Sequence, residues 1–351
     1  MRLFTFLVLE SLLSPVTLTG CFVWLLWGTA VSQQQSLSFT ALSPLFCRWL
    51  LHLQGMRPAT AADSLMKTLP SLNPAANWAV VWPTLWAMNI SGYTPNLFNL
   101  PRAGKENLGN MINTRTLFFD RALTQYIETV EQVVVLGAGF DTRLLKFCYG
   151  KKLSLFEVDR PEMQRVKQQA LKESGQPTDG IHFVPVNFNE ENWIERLKAA
   201  GFLPGKKTFF LWEGVTYYLT EAIVVESLRA KGEVSSVGSA IAFDFFPQHF
   251  LKGQAPEGQA FWWMPLATNV LDWIGEPFRF GVDTQTGNRE AIAQLLSHSA
   301  FQLRELQMMG TGKPSSIEPL SRSSSRQGSG FCGLVIAEIM GTETYTLKLK
   351  H

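Results

Sequence analysis

The hydrophobic pattern divides this chain into two unlike parts. Leu3 to Val31 is an almost unbroken apolar run in which Glu10 is the only charge. It is long enough to cross a bilayer, which takes about 20 apolar residues. Glu10, Pro15 and Gly20 weaken its centre, where a carboxylate costs about 3 kcal/mol. A cleaved signal peptide, with Gly28-Thr29-Ala30 as its small-residue site, and an interfacial helix are the competing readings. After the polar link Ser32–Ser36 a second apolar run, Phe39 to Leu53, contains Pro44 and Arg48. Arg2, Arg48 and Arg57 flank the pair and no basic residue lies in the link, so the positive-inside rule predicts a membrane hairpin with both ends, and all that follows, in the cytosol. A third run, Trp78 to Ile90, spaces Trp78, Trp82 and Trp86 four apart on one helical face. That pattern suits an interfacial helix or a helix packed on the following domain.

Beyond about residue 110 the pattern changes to short apolar runs alternating with amphipathic stretches, as in a doubly wound α/β sheet that is mainly parallel. Gln132–Leu136, Leu153–Glu157, His182–Pro185, Thr208–Leu211 and Ser239–Asp244 read as strands buried on both faces. Phe331–Met340 and Thr344–Lys350 read as late strands. A helix opens at Pro161, aligns Met163, Val166, Ala170 and Leu171, and stops before Gly175. Asn189 is a candidate cap for the next helix, which buries Trp193 and Leu197. Lys313 to Gly330 has a loop composition, and Arg322–Arg326 within it is a candidate phosphorylation site. The expected organisation is a membrane-associated helical segment over 1–57, a helical cap and linker over 58–110, and a catalytic domain over 111–351.

Charge reinforces that division. Only Arg2, Glu10, Arg48, Arg57, Asp63 and Lys67 are charged among the first hundred residues. The whole chain, with 31 basic and 29 acidic side chains, is too evenly balanced for a nucleic-acid partner. Four cysteines and five histidines show no ligand spacing, so no metal site is expected.

The strongest chemical signal is Val133 to Arg143, V-V-V-L-G-A-G-F-D-T-R. A strand leading into Gly137 and Gly139 and then a helix lets backbone amides approach a ligand that a Cβ would obstruct. Asp159, at the tip of the next strand, is placed to accept from a ribose diol. These features fit a nicotinamide dinucleotide or S-adenosylmethionine. Thr142, where a dinucleotide fingerprint has its third glycine, disfavours the former.

Five segments in this order resemble the leucine carboxyl methyltransferase family: Asn113–Thr116, Leu136–Arg143, Phe156–Asp159, Trp212–Thr220 and Gly275–Phe278. The resemblance covers about Asn110 to Met340. It implies a class I methyltransferase fold, a Rossmann-like sheet of seven strands, with S-adenosylmethionine as cofactor. It further implies that Arg115 pairs with the methionine carboxylate, a bidentate contact lysine cannot reproduce, and that Gly137 and Gly139 admit the methionine portion. Asp159 would hold the ribose and Glu213 the cofactor's ammonium. Asn187, where the family commonly has Asp, and Phe188 would hold the adenine.

Methyl transfer to a carboxylate needs orientation rather than a base, whereas a hydroxyl acceptor needs one. Tyr217 and Tyr218 are candidates to line the acceptor pocket, and His249 and Asp244 are the only candidate bases. The aromatic stretch Phe245–Phe280 suits an apolar lid. The expected activity is methylation of a small, apolar acceptor at a carboxylate or hydroxyl; a protein carboxyl terminus, or cofactor binding without turnover, are the alternatives. Family members have a short soluble cap that brings a lysine to the cofactor, for which Lys67 is a weak stand-in. A chain starting near Ala59 is expected to be more soluble and, if the pocket lies wholly beyond Asn110, still to bind the cofactor.

Overall fold

The computed structural model describes residues 1–100, 104–188, 191–254, 264–311 and 330–341. Four helices come first: α1 (Arg2–Gln34), α2 (Leu42–Leu53), α3 (Thr60–Thr68) and α4 (Pro74–Ser91). There follow α5 (Met111–Tyr126), β1 (Gln132–Leu136), β2 (Ser154–Asp159), α6 (Pro161–Glu173), β3 (Ile181–Pro185), α7 (Trp193–Ala199) and β4 (Thr208–Trp212). The chain continues through α8 (Glu221–Glu233), β5 (Ala240–Phe245), α9 (Gln248–Leu251), α10 (Met264–Trp273), α11 (Asn288–Leu296), β6 (Gln302–Met309) and β7 (Cys332–Glu338).

The seven strands form one sheet in the order β3-β2-β1-β4-β5-β7-β6. β1 to β5 are parallel and β7 runs antiparallel to both β5 and β6, the strand order of a class I methyltransferase. β1, β4 and β5 are buried throughout, which explains their continuous apolar sequences. The six expected strands that fall within the described residues are present, with ends displaced by at most two residues. β6, Q-L-R-E-L-Q-M-M, was not expected. As the sheet's edge it buries only Met308 and Met309, and its polar residues are half-buried or exposed. The helix after β3 is capped by Asn192, whose side chain accepts from the Ile194 and Glu195 amides. The expectations for Asn189, Phe261–Trp263, most of the Lys313–Gly330 loop with Arg322–Arg326, and Thr344–Lys350 lie outside the described residues.

The front end departs from the expected hairpin of 3–31 with 39–53. α2 does not face outward: Leu42, Leu45, Trp49 and Leu50 are buried in a core with Leu65 and Met66 of α3 and Met163, Val166 and Leu171 of α6, and Leu51 is buried as well. Its apolar content is therefore that of an internal helix, and Arg48 is buried with it. The helix that pairs with α1 is α4. They run antiparallel, with Phe6 against Tyr93 at one end and Gly20 against Ala79 further along, where a Cβ on Gly20 would come within 2.8 Å of the Ala79 Cβ. α1 is long and apolar enough to cross a membrane by length and composition, and little of it is buried. Phe4, Leu12, Leu18 and Phe22 of α1, and Trp78, Trp82 and Trp86 of α4, stand exposed.

Candidate functional site

Parallel strands all end at the same edge of a sheet, so their following loops converge there. Gly137 leaves β1 with φ +61°, and its amide donates to the Val158 carbonyl at 2.8 Å, tying the loop to β2. A Cβ at Gly137 would collide with the Val215 side chain. Asp159, ending β2, accepts the Gly139 amide on Oδ2 and the Arg160 amide on Oδ1, both at 2.6 Å. Asn187 and Phe188 follow β3, and Glu213 follows β4. Together with Arg115 of α5 these residues line one cavity of about 530 Å³. All seven cofactor-site candidates are thus brought together.

The opposite wall was not legible in the motifs. It consists of Thr29, Ser32 and Gln33 at the end of α1, the strap Ser36–Ala41, and Pro44 and Arg48 of α2. Glu276 clasps the strap, accepting the Phe39 amide at 2.7 Å and the Thr40 amide at 3.0 Å, while Tyr218 donates to the Thr40 hydroxyl at 2.9 Å. The cavity is therefore not confined to residues beyond Asn110. A chain starting near Ala59 lacks this wall.

The centre of the cavity floor is a buried lattice of charge. Glu213 accepts Arg115 Nε at 3.0 Å on one oxygen, and Arg48 Nη2 at 3.0 Å and Arg143 Nη1 at 2.5 Å on the other. Arg143 also bonds Asp141, and it bonds Asp120 at 2.7 Å; Arg48 Nη2 reaches Asp141 at 3.1 Å. Burial alone would raise the Glu213 pKa, but the guanidiniums of Arg143, Arg48 and Arg115 hold it down to about 2. Asp141 is depressed in the same way by Arg143 and Arg48. Behind Arg115, burial pushes Asp244 up to about 6 against the pull of that guanidinium.

The donor set fits a methionine-type zwitterion. Arg115 engages Nε with Glu213 and Nη1 with Tyr217 and Asp244, leaving Nη2 uncommitted among the described residues. The Glu213 oxygen facing Arg115 accepts one bond and has room for a second. Arg48, on the opposite cavity wall, has its Nε buried without a partner among the described residues.

Three candidates need correction. His249 does not line the cavity: its Nε2 lies 2.9 Å from the Gly330 carbonyl oxygen and its Nδ1 3.4 Å from the Thr284 hydroxyl. Asp244 lies beneath Arg115 and does not line the cavity either. Lys67 points elsewhere and pairs with Asp63 at 2.6 Å, its side chain 58% exposed. The front-end cation on the cavity is Arg48. An arginine inside an apolar run was its only signal, and that signal equally suits a topogenic charge. Tyr217 and Tyr218 do line the cavity, and burial raises both phenols, so they serve as hydrogen-bonding groups rather than bases.

The strand order and the glycine loop with its spaced acid define a class I methyltransferase fold. Residues 77–230 match the model of the leucine carboxyl methyltransferase family. A relative from Parafrankia sp. (strain EAN1pec), named "Putative S-adenosyl-L-methionine-dependent methyltransferase", is 34% identical over 142 residues, which cover 40% of this chain and 45% of the relative. A relative of the same description from Rhodococcus jostii (strain RHA1) is 31% identical over 168 residues, covering 46% and 57%. The chain thus spans about half the length of the relatives it matches. Among solved structures, the geranyl diphosphate C-methyltransferase of Streptomyces coelicolor A3(2) aligns with a TM-score of 0.41 at 11% identity, covering 66% of this chain and 82% of that one.

Proposed function

We propose that the protein is an S-adenosylmethionine-dependent O-methyltransferase acting on a carboxylate or hydroxyl of a small, apolar acceptor, and that α1 tethers it to a membrane. The observation that carries this reading is the convergence of Arg115, Gly137, Gly139, Asp159 and Glu213 on one cavity in a chain whose residues 77–230 match this family's model. Bound S-adenosylmethionine supplies an electrophilic methyl group on a sulfonium. Arg115 Nη2 is the group for its carboxylate, Glu213 for its ammonium, Asp159 for its ribose, and Asn187 with Phe188 for its adenine.

The remaining lining residues favour a carboxylate acceptor. Tyr217 and Tyr218 stay protonated, and the two candidate bases lie off the cavity. A carboxylate is a nucleophile already, so what the protein supplies is orientation and exclusion of water by the strap.

Calorimetry of the full chain with S-adenosylmethionine, S-adenosylhomocysteine and NAD tests the cofactor. Micromolar binding of the first two and none of NAD is expected; the reverse overturns the assignment. Incubation with methyl-labelled cofactor then separates an organic-extractable product from a labelled protein, the second of which points to a protein carboxyl terminus as acceptor. Cofactor binding with no labelled product in either fraction marks the protein as a non-catalytic binder.

A further inference from the structure

One helix face of α1 leads from the outside of the molecule into the cavity. Leu18, Phe22, Leu25, Thr29 and Ser32 are spaced four, three, four and three apart, which puts them on a single stripe. Exposure falls along it: Leu18 is 67% exposed, Phe22 63%, Leu25 49%, Thr29 intermediate and Ser32 2%. Thr29 and Ser32 line the cavity, and Gln33 stands exposed beside them. The Thr29 hydroxyl is used by its own helix, donating to the Leu25 carbonyl at 2.7 Å. The Ser32 hydroxyl is buried without a partner among the described residues. Buried hydroxyls are normally hydrogen-bonded, and because Ser32 lines the cavity a turn about its Cα–Cβ bond is what would bring this one to a polar group of a ligand.

The apolar part of the stripe has one occupant that suits it, a lipid bilayer. α1 carries only two charged side chains, Arg2 at its start and the half-buried Glu10. At 1.5 Å per residue its 33 residues extend about 50 Å, more than the roughly 30 Å of a hydrocarbon core. Trp27 of α1 and Trp78, Trp82 and Trp86 of its partner α4 are exposed, and tryptophan favours the membrane boundary. The cavity wall at Ser32 is thus the continuation of a lipid-facing surface.

We propose that the cavity takes its ligand from the bilayer: a single-chain amphiphile whose carboxylate or hydroxyl head passes Gln33 to reach Ser32 while its tail lies along Leu18, Phe22 and Leu25. That this amphiphile is the methyl acceptor rests on the methyltransferase reading; the access route does not.

The test uses the full chain in phosphatidylcholine vesicles with two photoactivatable probes, palmitic acid bearing a diazirine beside its carboxyl group and phosphatidylcholine bearing one in mid-chain. Adducts are mapped by mass spectrometry. Both probes should label the Leu18–Leu25 stretch, and only the fatty acid should label Ser32, Gln33 or Tyr218. Ser32→Leu should cut labelling in the cavity by roughly tenfold or more, through loss of a buried hydrogen bond and of space, and leave Phe22 labelled as before. Labelling by the fatty acid confined to the outer residues, with S-adenosylhomocysteine still bound in calorimetry, overturns the access route and spares the methyltransferase reading. Cavity labelling in a protein that binds no S-adenosylhomocysteine upholds the route and overturns that reading. Protection of α1 from both probes, with self-association on dilution series, assigns the face to a second copy and overturns the route.

Discussion

The two walls of the cavity are made in different ways. The sheet wall is assembled from strand ends, where each loop is positioned by a buried ladder and each functional residue sits in a short motif. The front wall is assembled from a helix end, a strap and a second helix, and is held by contacts made across long intervals of sequence. Arg48 meets Asp141 and Glu213, 93 and 165 residues away, and the strap amides meet Glu276 more than 230 residues away. Motif reading finds the first kind of wall and overlooks the second, because nothing local distinguishes a helix buried against a domain from one buried in lipid.

The most severe way to break this comparison is to delete one wall. A chain starting at Ala59 loses Arg48, Trp49 and the rest of α2 from its core, and should neither bind S-adenosylhomocysteine nor unfold cooperatively in denaturant. Wild-type affinity in calorimetry would show that the sheet wall suffices. Next in size is the charge lattice itself. Arg143→Met leaves Asp141, Glu213 and Asp120 short of their common partner, and removing one member of a buried pair costs about 3–5 kcal/mol. Urea unfolding measures it; a loss below about 1 kcal/mol means the lattice is not a unit.

Smaller effects separate the cofactor groups. Arg115→Lys and Asp159→Ala should each weaken S-adenosylhomocysteine binding by about 1–3 kcal/mol, the range for charged hydrogen bonds, in variants that keep the wild-type circular dichroism spectrum. An unchanged Kd in either case removes that residue from the site.

The pH dependence of stability gives a signed test. The Glu213 pKa in the fold, about 2, lies below its ordinary 4.5. Its contribution is therefore fully present above pH 4.5 and is lost as pH falls toward 2. The Asp244 pKa in the fold, about 6, lies above its ordinary 3.8, so the fold bears a cost above pH 6 that is relieved as pH falls from 6 toward 3.8. Asp244→Asn should flatten the upper limb of a stability–pH curve and Glu213→Gln the lower one; the opposite assignment contradicts the burial of these two carboxylates. The smallest effect belongs to Lys67→Ala. Its exposed pair with Asp63 is worth well under about 1 kcal/mol, and cofactor affinity should not change.

The legible parts of this fold are those in which local sequence and tertiary role agree. β1 and β4 are apolar because they are central and parallel, and Pro161 and Gly175 bracket α6 as caps do. β6 was illegible because an edge strand needs neither β-branched residues nor a full apolar face, and Q-L-R-E-L-Q-M-M is made of good helix formers. The pairing of α1 with α4 was hidden by the intervening α2, which is equally apolar and closer in sequence. Among site residues, Arg115, Gly137, Gly139, Asp159 and Glu213 reach the cavity as expected. His249 does not, because a histidine near the end of β5 can as readily hold a neighbouring loop at Gly330.

The long reach of Arg48 also fixes an order of events during synthesis. α1 and α2 leave the ribosome before the sheet does, and Glu213 follows 165 residues after Arg48. At roughly 5–20 residues per second, Arg48 waits about 8–33 s before that carboxylate is made. For that interval α2 is an apolar helix whose charge lacks its Glu213 partner, and until Asp141 is made, 93 residues after Arg48, it lacks both. The nascent chain is most exposed to misinsertion or capture by chaperones in this window, and it closes only when β4 joins the sheet.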